Sequence, residues 1–261
     1  MIDPSLELLA LLAMAAFVAG FIDSIAGGGG LITVPALMIA GYGPVAALAT
    51  NKLQSLFGSG SATLAYAARG HVDLKAQAGQ AAMSALGAAA GALVAARMPA
   101  DVLKAALPVL LVAIALYFAL RHDLSDEDRH RRMSSFAFTL GFVPVIGFYD
   151  GVFGPGTGSF FMLGFVALAG YGVLKATAHT KLLNFASNIG AFAVFAAAGA
   201  VEWKAGLAMG VAQFAGARLG ANAAMAGGAR LIRPLLVVVC VALAIRLLSD
   251  PANPVRLWIG I

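Results

Sequence analysis

The chain has 261 residues, of which 61% are hydrophobic and only 11% charged, with a mean hydropathy of +0.90 and a net charge of +5. Soluble domains carry about 25% charged residues, so the composition excludes an ordinary soluble globule and makes lipid the solvent for most of the chain. The basic balance does not mark a nucleic-acid binder, because Lys and Arg gather in short loops between apolar runs, as the positive-inside bias of membrane proteins predicts.

The first apolar run, Ser5–Ile25, is long enough to cross a hydrocarbon layer of about 30 Å. Met1-Ile2-Asp3-Pro4 lacks the basic region of a cleaved signal peptide, so this run is expected to be retained as a span. After Gly27–Gly30 comes Leu31–Ala40, too short to cross alone at about 1.5 Å per residue. Val45–Ala68 follows, interrupted by Thr50, Asn51, Lys52, Gln54 and Ser55, and then Lys75–Ala96 and Asp101–Leu120. Arg121–Met133 holds four arginines, two histidines and four acids; it is the one strongly hydrophilic stretch and is expected in the cytoplasm. The order then repeats as Ser134–Phe153, Ser159–Ala169, Leu174–Gly199, Lys204–Ala226 and Leu231–Leu248. Cys240, the single cysteine, excludes an internal disulfide and is expected to be a small buried hydrophobe.

The repetition is specific. Gly20-Phe21-Ile22-Asp23 returns as Gly147-Phe148-Tyr149-Asp150, Gly41-Tyr42-Gly43 as Gly170-Tyr171-Gly172, and Thr50-Asn51-Lys52-Leu53 as His179-Thr180-Lys181-Leu182. Asp150 lies 127 positions after Asp23, and Lys181 lies 129 after Lys52, which places a two-residue insertion in the second copy. The expected fold is therefore all-α: a polytopic membrane protein of two pseudo-symmetric repeats, with helices broken at Gly-rich motifs and about 8–10 transmembrane segments. Residues 1–120 form the first repeat, 121–133 a linker and 134–261 the second. With the linker held inside, Lys and Arg counts come out equal for inverted and parallel repeats, so charge does not separate them. Inverted repeats are preferred because helices broken around a midplane site recur in that class of transporter.

A charged residue in a hydrocarbon span costs roughly 2.5–3.5 kcal/mol on insertion scales, so Lys52 and Lys181, placed alike in the two copies, are candidate functional groups. Broken backbone at membrane depth is tolerated where it is buried or lines a cavity, and the freed amides at the start of the next helix favour anions. Gly28, Gly29 and Gly30, and Gly156, Thr157 and Gly158, are the expected cradles. Asn51, Gln54 and Ser55 share one helix face, and Thr180, Lys181 and Asn184 another, adding orienting polar groups. The expected partner is thus a small anion as well as the bilayer. Asp23, Asp150 and His179 are candidate coupling groups, although His179 reads first as a core histidine. The competing structural readings are that Lys52 pairs with Asp23 and Lys181 with Asp150, that the lysines snorkel, or that the glycines only permit close crossing. Small-xxx-small patterns at Gly87–Gly91 and Gly216–Gly220 read as packing motifs. His71, His122, His130 and His179 have no metal-ligand spacing, and no Walker A sequence or Gly-x-Ser-x-Gly elbow occurs, so no metal, cofactor or enzymatic activity is expected.

Gly20–Pro35 with Thr50–Gln54, and in the second half Gly147–Gly151, Gly154–Gly158 and His179–Phe185, resemble the TauE/SafE family of membrane transporters over nearly the whole chain. The resemblance implies a multi-pass protein of the bacterial inner membrane that moves sulfite, a sulfonate or a related organosulfur anion by alternating access. An anion channel, or an intramembrane enzyme acting on a lipid or polar headgroup, are the alternatives.

Overall fold

The computed structural model describes residues 4–99, 127–128 and 130–227. Among them the chain forms eight helices and no strand: α1 (Leu6–Ala26), α2 (Gly30–Ile39), α3 (Pro44–Ala68), α4 (Ala78–Ala95), α5 (Ser135–Val152), α6 (Thr157–Ala167), α7 (Val173–Ala197) and α8 (Trp203–Gly227). The expected spans Asp101–Leu120 and Leu231–Leu248, and Cys240, lie outside the described residues.

Local chemistry sets the helix ends. Ser5 caps α1 by accepting from the Leu8 amide, and Ser134 caps α5 by accepting from the Ala137 amide. Pro44 opens α3 where its missing N–H is not needed. Within α5 a π-helical turn covers Phe138–Phe142. Pro144 follows it and cannot donate to the carbonyl one turn back, so the ladder widens just before it. α1 ends at Gly27 and α5 before Gly154, both with left-handed backbone (φ 81° and 85°), which glycine adopts without a Cβ clash. α2 and α6 then turn back. Their caps, Gly29 and Gly156, stand 127 positions apart, whereas the caps of α3 and α7, Gly43 and Gly172, stand 129 apart. The two-residue insertion therefore falls between the start of α6 and the Gly170-Tyr171-Gly172 turn.

The halves interlock. α1 packs along α8 and α4 along α5, while α3 lies against α7 and α8, and α7 against α4. Small residues set these crossings: a Cβ on Gly216 would lie 2.0 Å from the Phe17 carbonyl oxygen, and one on Gly91 2.1 Å from that of Phe148. Helix direction follows from the contacts. Gly216 meets Phe17 and Gly220 meets Phe21, while Gly206 meets Leu53 and Gly210 meets Phe57, so α1, α3 and α8 run the same way. Gly87 meets Pro144 and Gly91 meets Phe148, while Ser84 bonds the Leu183 carbonyl and Gly190 meets Ala85, so α4, α5 and α7 also run together.

The two sets oppose each other. One core cluster joins Ala62, Ala65 and Tyr66 near the end of α3 to Val173 and Ala176 at the start of α7; the other joins Ala47 and Leu48 at the start of α3 to Ala191 and Phe195 near the end of α7. α3 and α7 are therefore antiparallel.

α1, α4 and α5 are long and apolar enough to cross a membrane, and they expose Leu11, Leu86 and Val145 outward. α3, α7 and α8 have 25 residues each, also sufficient in length, but α3 and α7 carry the buried polar residues at the centre. The end of the hydrophilic linker is pinned to the α6–α7 turn. Asp128 accepts from the Gly172 amide and from Lys175 Nζ (both 2.7 Å), and the Arg132 and Met133 amides donate to the Leu168 carbonyl. The Lys175 hydrogen bond, followed by that from Gly172, holds the Asp128 carboxyl below the usual carboxylate range.

Candidate functional site

The helix breaks and the buried charges meet at one place. Lys52 on α3 is 1% exposed and Lys181 on α7 is fully buried. Neither snorkels, because each Nζ reaches a carboxylate inside the bundle. Lys52 Nζ lies 2.8 Å from Asp150 Oδ1, and Lys181 Nζ 3.1 Å from Asp23 Oδ2. The pairing is crossed: each lysine takes the aspartate of the other half, which corrects the expectation that Lys52 would pair with Asp23 and Lys181 with Asp150. The reason is the interlocked packing, in which the end of α1 lies beside the start of α7, and the end of α5 beside the start of α3.

The two pairs are built differently. Asp23 Oδ1 accepts from the Gly29 amide (3.0 Å), Oδ2 accepts from Lys181, and Lys181 also donates to the Asp23 carbonyl. Asp150 receives both its protein contacts on Oδ1, from Lys52 and from the Thr157 hydroxyl (2.7 Å); its Oδ2 is buried with no hydrogen-bond partner among the described residues.

Between the pairs lies a polar cavity of about 30 Å³, lined by Gly28, Gly29 and Gly30 at the start of α2 and by Gly156, Thr157 and Gly158 at the start of α6. Asp23, Asp150, Asn51 and Asn184 also line it. The first amides of a helix have no carbonyl one turn back, so two positive helix ends converge on the cavity. Of the other expected residues, Gln54 is buried and donates to Asn51 Oδ1 (2.9 Å), which also accepts from Thr33 (2.7 Å). Gln54 therefore orients Asn51 rather than lining the space. Thr180 is buried, and its hydroxyl is without a partner among the described residues. His179 stands apart, its ring 4.9 Å from Tyr171 and 5.5 Å from Phe165.

Ser55 and Gly154, in the polar run of α3 and the second glycine run, also line the cavity; two further lining residues, Asn188 and Gln213, were not anticipated. Asn188 stands one turn after Asn184 on α7, so helical spacing pointed to it. Gln213 is the lone amide between Leu207 and Leu219, a signal of the same kind as Lys52.

Each charge requires a partner in hydrocarbon, and each interrupted helix requires a polar space to face. A lipid-facing bundle that meets both needs at one central cavity is the architecture of a membrane transporter. The chain belongs to the Sulfite exporter TauE/SafE family, whose model matches residues 12–247. It is 66% identical over 258 residues to "Probable membrane transporter protein ORF9" of Sinorhizobium sp, covering 99% of each chain. It is 48% identical over 254 residues to "Probable membrane transporter protein YfcA" of Escherichia coli K12, covering 97% of this chain and 94% of that one. A "Probable membrane transporter protein" of Haemophilus influenzae is 44% identical over 248 residues, covering 95% and 97%. No solved structure matches the chain.

Proposed function

We propose that the protein carries a small sulfur oxyanion, sulfite or a sulfonate, across the bacterial inner membrane by alternating access. The observation that carries this reading is the convergence on one central cavity of two helix N-termini and of two aspartates, each paired with a buried lysine behind it. Lys52 and Lys181 supply charge, the amides of Gly28, Gly30, Gly156 and Gly158 supply donors, and Asn51 and Asn184 orient the ligand. Gln54 holds Asn51 from behind, while Thr180 lies outside the cavity lining.

The cavity holds two or three waters, at about 10–15 Å³ each, so an oxyanion enters only when the halves move apart. This conformation is then the closed, ion-paired state of the cycle. Purified protein tested against a panel of anions should gain thermal stability with sulfite or a sulfonate, by about 2.7 kcal/mol at a hundredfold excess over Kd. No stabilisation by any sulfur oxyanion would reject the substrate class, and counterflow in proteoliposomes separates a carrier from a channel.

Orientation follows from charge at the two ends. Arg69, Lys75, Arg131, Arg132 and Lys175 lie at the end that holds the linker, against Arg97 and Lys204 at the other. By the positive-inside bias the linker end is cytoplasmic. In a Cys240→Ser background, Arg69→Cys should label from the cytoplasm and Ala198→Cys from outside. Labelling of both from one side would exclude inverted repeats.

A further inference from the structure

We propose that Asp150, and not its counterpart Asp23, takes up a proton when an anion binds, so that the protein moves one proton with each monoanion. The inference rests on the anion reading above, and it starts from a hydrogen-bond count. The Thr157 hydroxyl sits 2.7 Å from Asp150 Oδ1 and 2.6 Å from the Gly154 carbonyl oxygen. A hydroxyl carries one proton and a backbone carbonyl only accepts. With Asp150 ionised, two acceptors compete for one proton. A proton added to Asp150 completes the chain: the carboxyl donates to Thr157 Oγ1, and Thr157 donates to Gly154.

Asp23 has no such relay. Its neighbours, the Gly29 amide and the Lys181 ammonium, only donate, so they hold a carboxylate and offer nothing to a carboxylic acid. Lys181 is further tied to the Asp23 backbone carbonyl, a contact that does not depend on the carboxylate. The equivalent of Thr157 in the first half is Gly30, which has no hydroxyl. Asp150 Oδ2, buried and without a partner among the described residues, is a second acceptor for the proton.

Charge balance makes protonation part of binding. The groups at the cavity are Lys52 from α3, Lys181 from α7, Asp23 from α1 and Asp150 from α5, two positive and two negative. The helices packed against α5 add little: α4 and α6 have no titratable residue, and α7 adds Lys175, held by Asp128 at the linker end, and His179, away from the cavity. Tyr149, on α5 itself, donates to the Pro155 carbonyl. An arriving monoanion must displace Asp150 from Lys52, and two anions cannot both stay charged against one ammonium in a buried site. The carboxylate accepts H⁺ and becomes a neutral acid, the anion becomes the counter-ion of Lys52, and the net charge of the site is unchanged. On release the proton leaves and the Lys52–Asp150 pair re-forms.

The test uses the full chain in proteoliposomes with methanesulfonate, which stays fully ionised, so any proton that moves with it travels on the protein. The expected result is interior acidification driven by an inward methanesulfonate gradient. Asp150→Asn should reduce this to the level of protein-free vesicles and make tracer counterflow independent of pH. In folded Asp23→Asn the rate should fall with the loss of the Lys181 partner, but the ratio of protons to methanesulfonate moved should stay at one. Proton movement that persists in Asp150→Asn would overturn the proposal. If methanesulfonate is not exchanged at all, the anion reading fails for sulfonates, and infrared titration of the wild-type protein decides the proton site. A protonated-carboxyl band that appears on acidification, persists in Asp23→Asn and is absent in Asp150→Asn supports the assignment, and lack of that band overturns it.

Discussion

Replacing Lys52 with Met is expected to destabilise the protein by about 3–5 kcal/mol, because it leaves Asp150 buried without its cation. The double variant Lys52→Met/Asp150→Leu should regain most of that loss, since removing both members of a buried pair is often near neutral. Lys52→Met/Asp23→Leu should regain nothing and should be worse than either single change, because it orphans Asp150 and Lys181 together. Thermal or denaturant unfolding of the wild type, the singles Lys52→Met, Asp150→Leu and Asp23→Leu, and the two doubles gives two cycles that separate crossed pairing from pairing within each half. Recovery in the Asp23 combination would refute the geometry of the site. The stabilised Lys52→Met/Asp150→Leu protein should also lose stabilisation by anions, which assigns Lys52 a role in binding beyond the ion pair.

Gly216→Val should cost about 3 kcal/mol or more, at the upper end of overpacking effects. Its Cβ would stand 2.0 Å from the Phe17 carbonyl oxygen, and backbone cannot rotate aside as a side chain does. Gly87→Val, with 2.3 Å to the Pro144 carbonyl oxygen, should behave alike at the α4–α5 crossing. In both, the fraction that folds should bind anion with unchanged affinity, since neither glycine lines the cavity. Gly156→Val should instead cost about 1–2 kcal/mol for a left-handed residue (φ 84°) and abolish transport. Unfolding and flux measured on the same samples distinguish the two classes.

Gly29 stands between them. Its φ of −52° suits any residue, yet a Cβ there would lie 2.8 Å from that of Asp23. It therefore supports the Asp23–Lys181 pair, and Gly29→Val should lower stability as well as transport.

Much of the architecture was legible in one dimension. The run Val45–Ala68 became Pro44–Ala68, and Leu31–Ala40 became Gly30–Ile39, because the Gly-Tyr-Gly turn and the glycine run are breaks that no tertiary contact needs to impose. The polar cavity was partly legible, since Lys52, Asn51 and Asn184 stand out against apolar neighbours. Gln213 stood out equally, but it lies in the span aligned with Lys75–Ala96 and outside the repeated motifs.

Composition and repetition alone determined a helical membrane protein and its eight described helices to within a few residues. They did so because hydrocarbon admits only self-satisfied helices, and the same breaks and charges occur twice. Which aspartate serves which lysine was undecidable there, since exchanging partners leaves the repeat pattern unchanged. Only the tertiary structure decided it, by laying α1 along α8 and α5 along α4 in opposed sets, so that Lys181 meets an aspartate 158 positions away. The inequality of the two aspartates was decided in the same way: it depends on one hydroxyl brought within 2.7 Å of a carboxyl oxygen and 2.6 Å of a backbone carbonyl, a matter of distance that spacing along a chain does not contain.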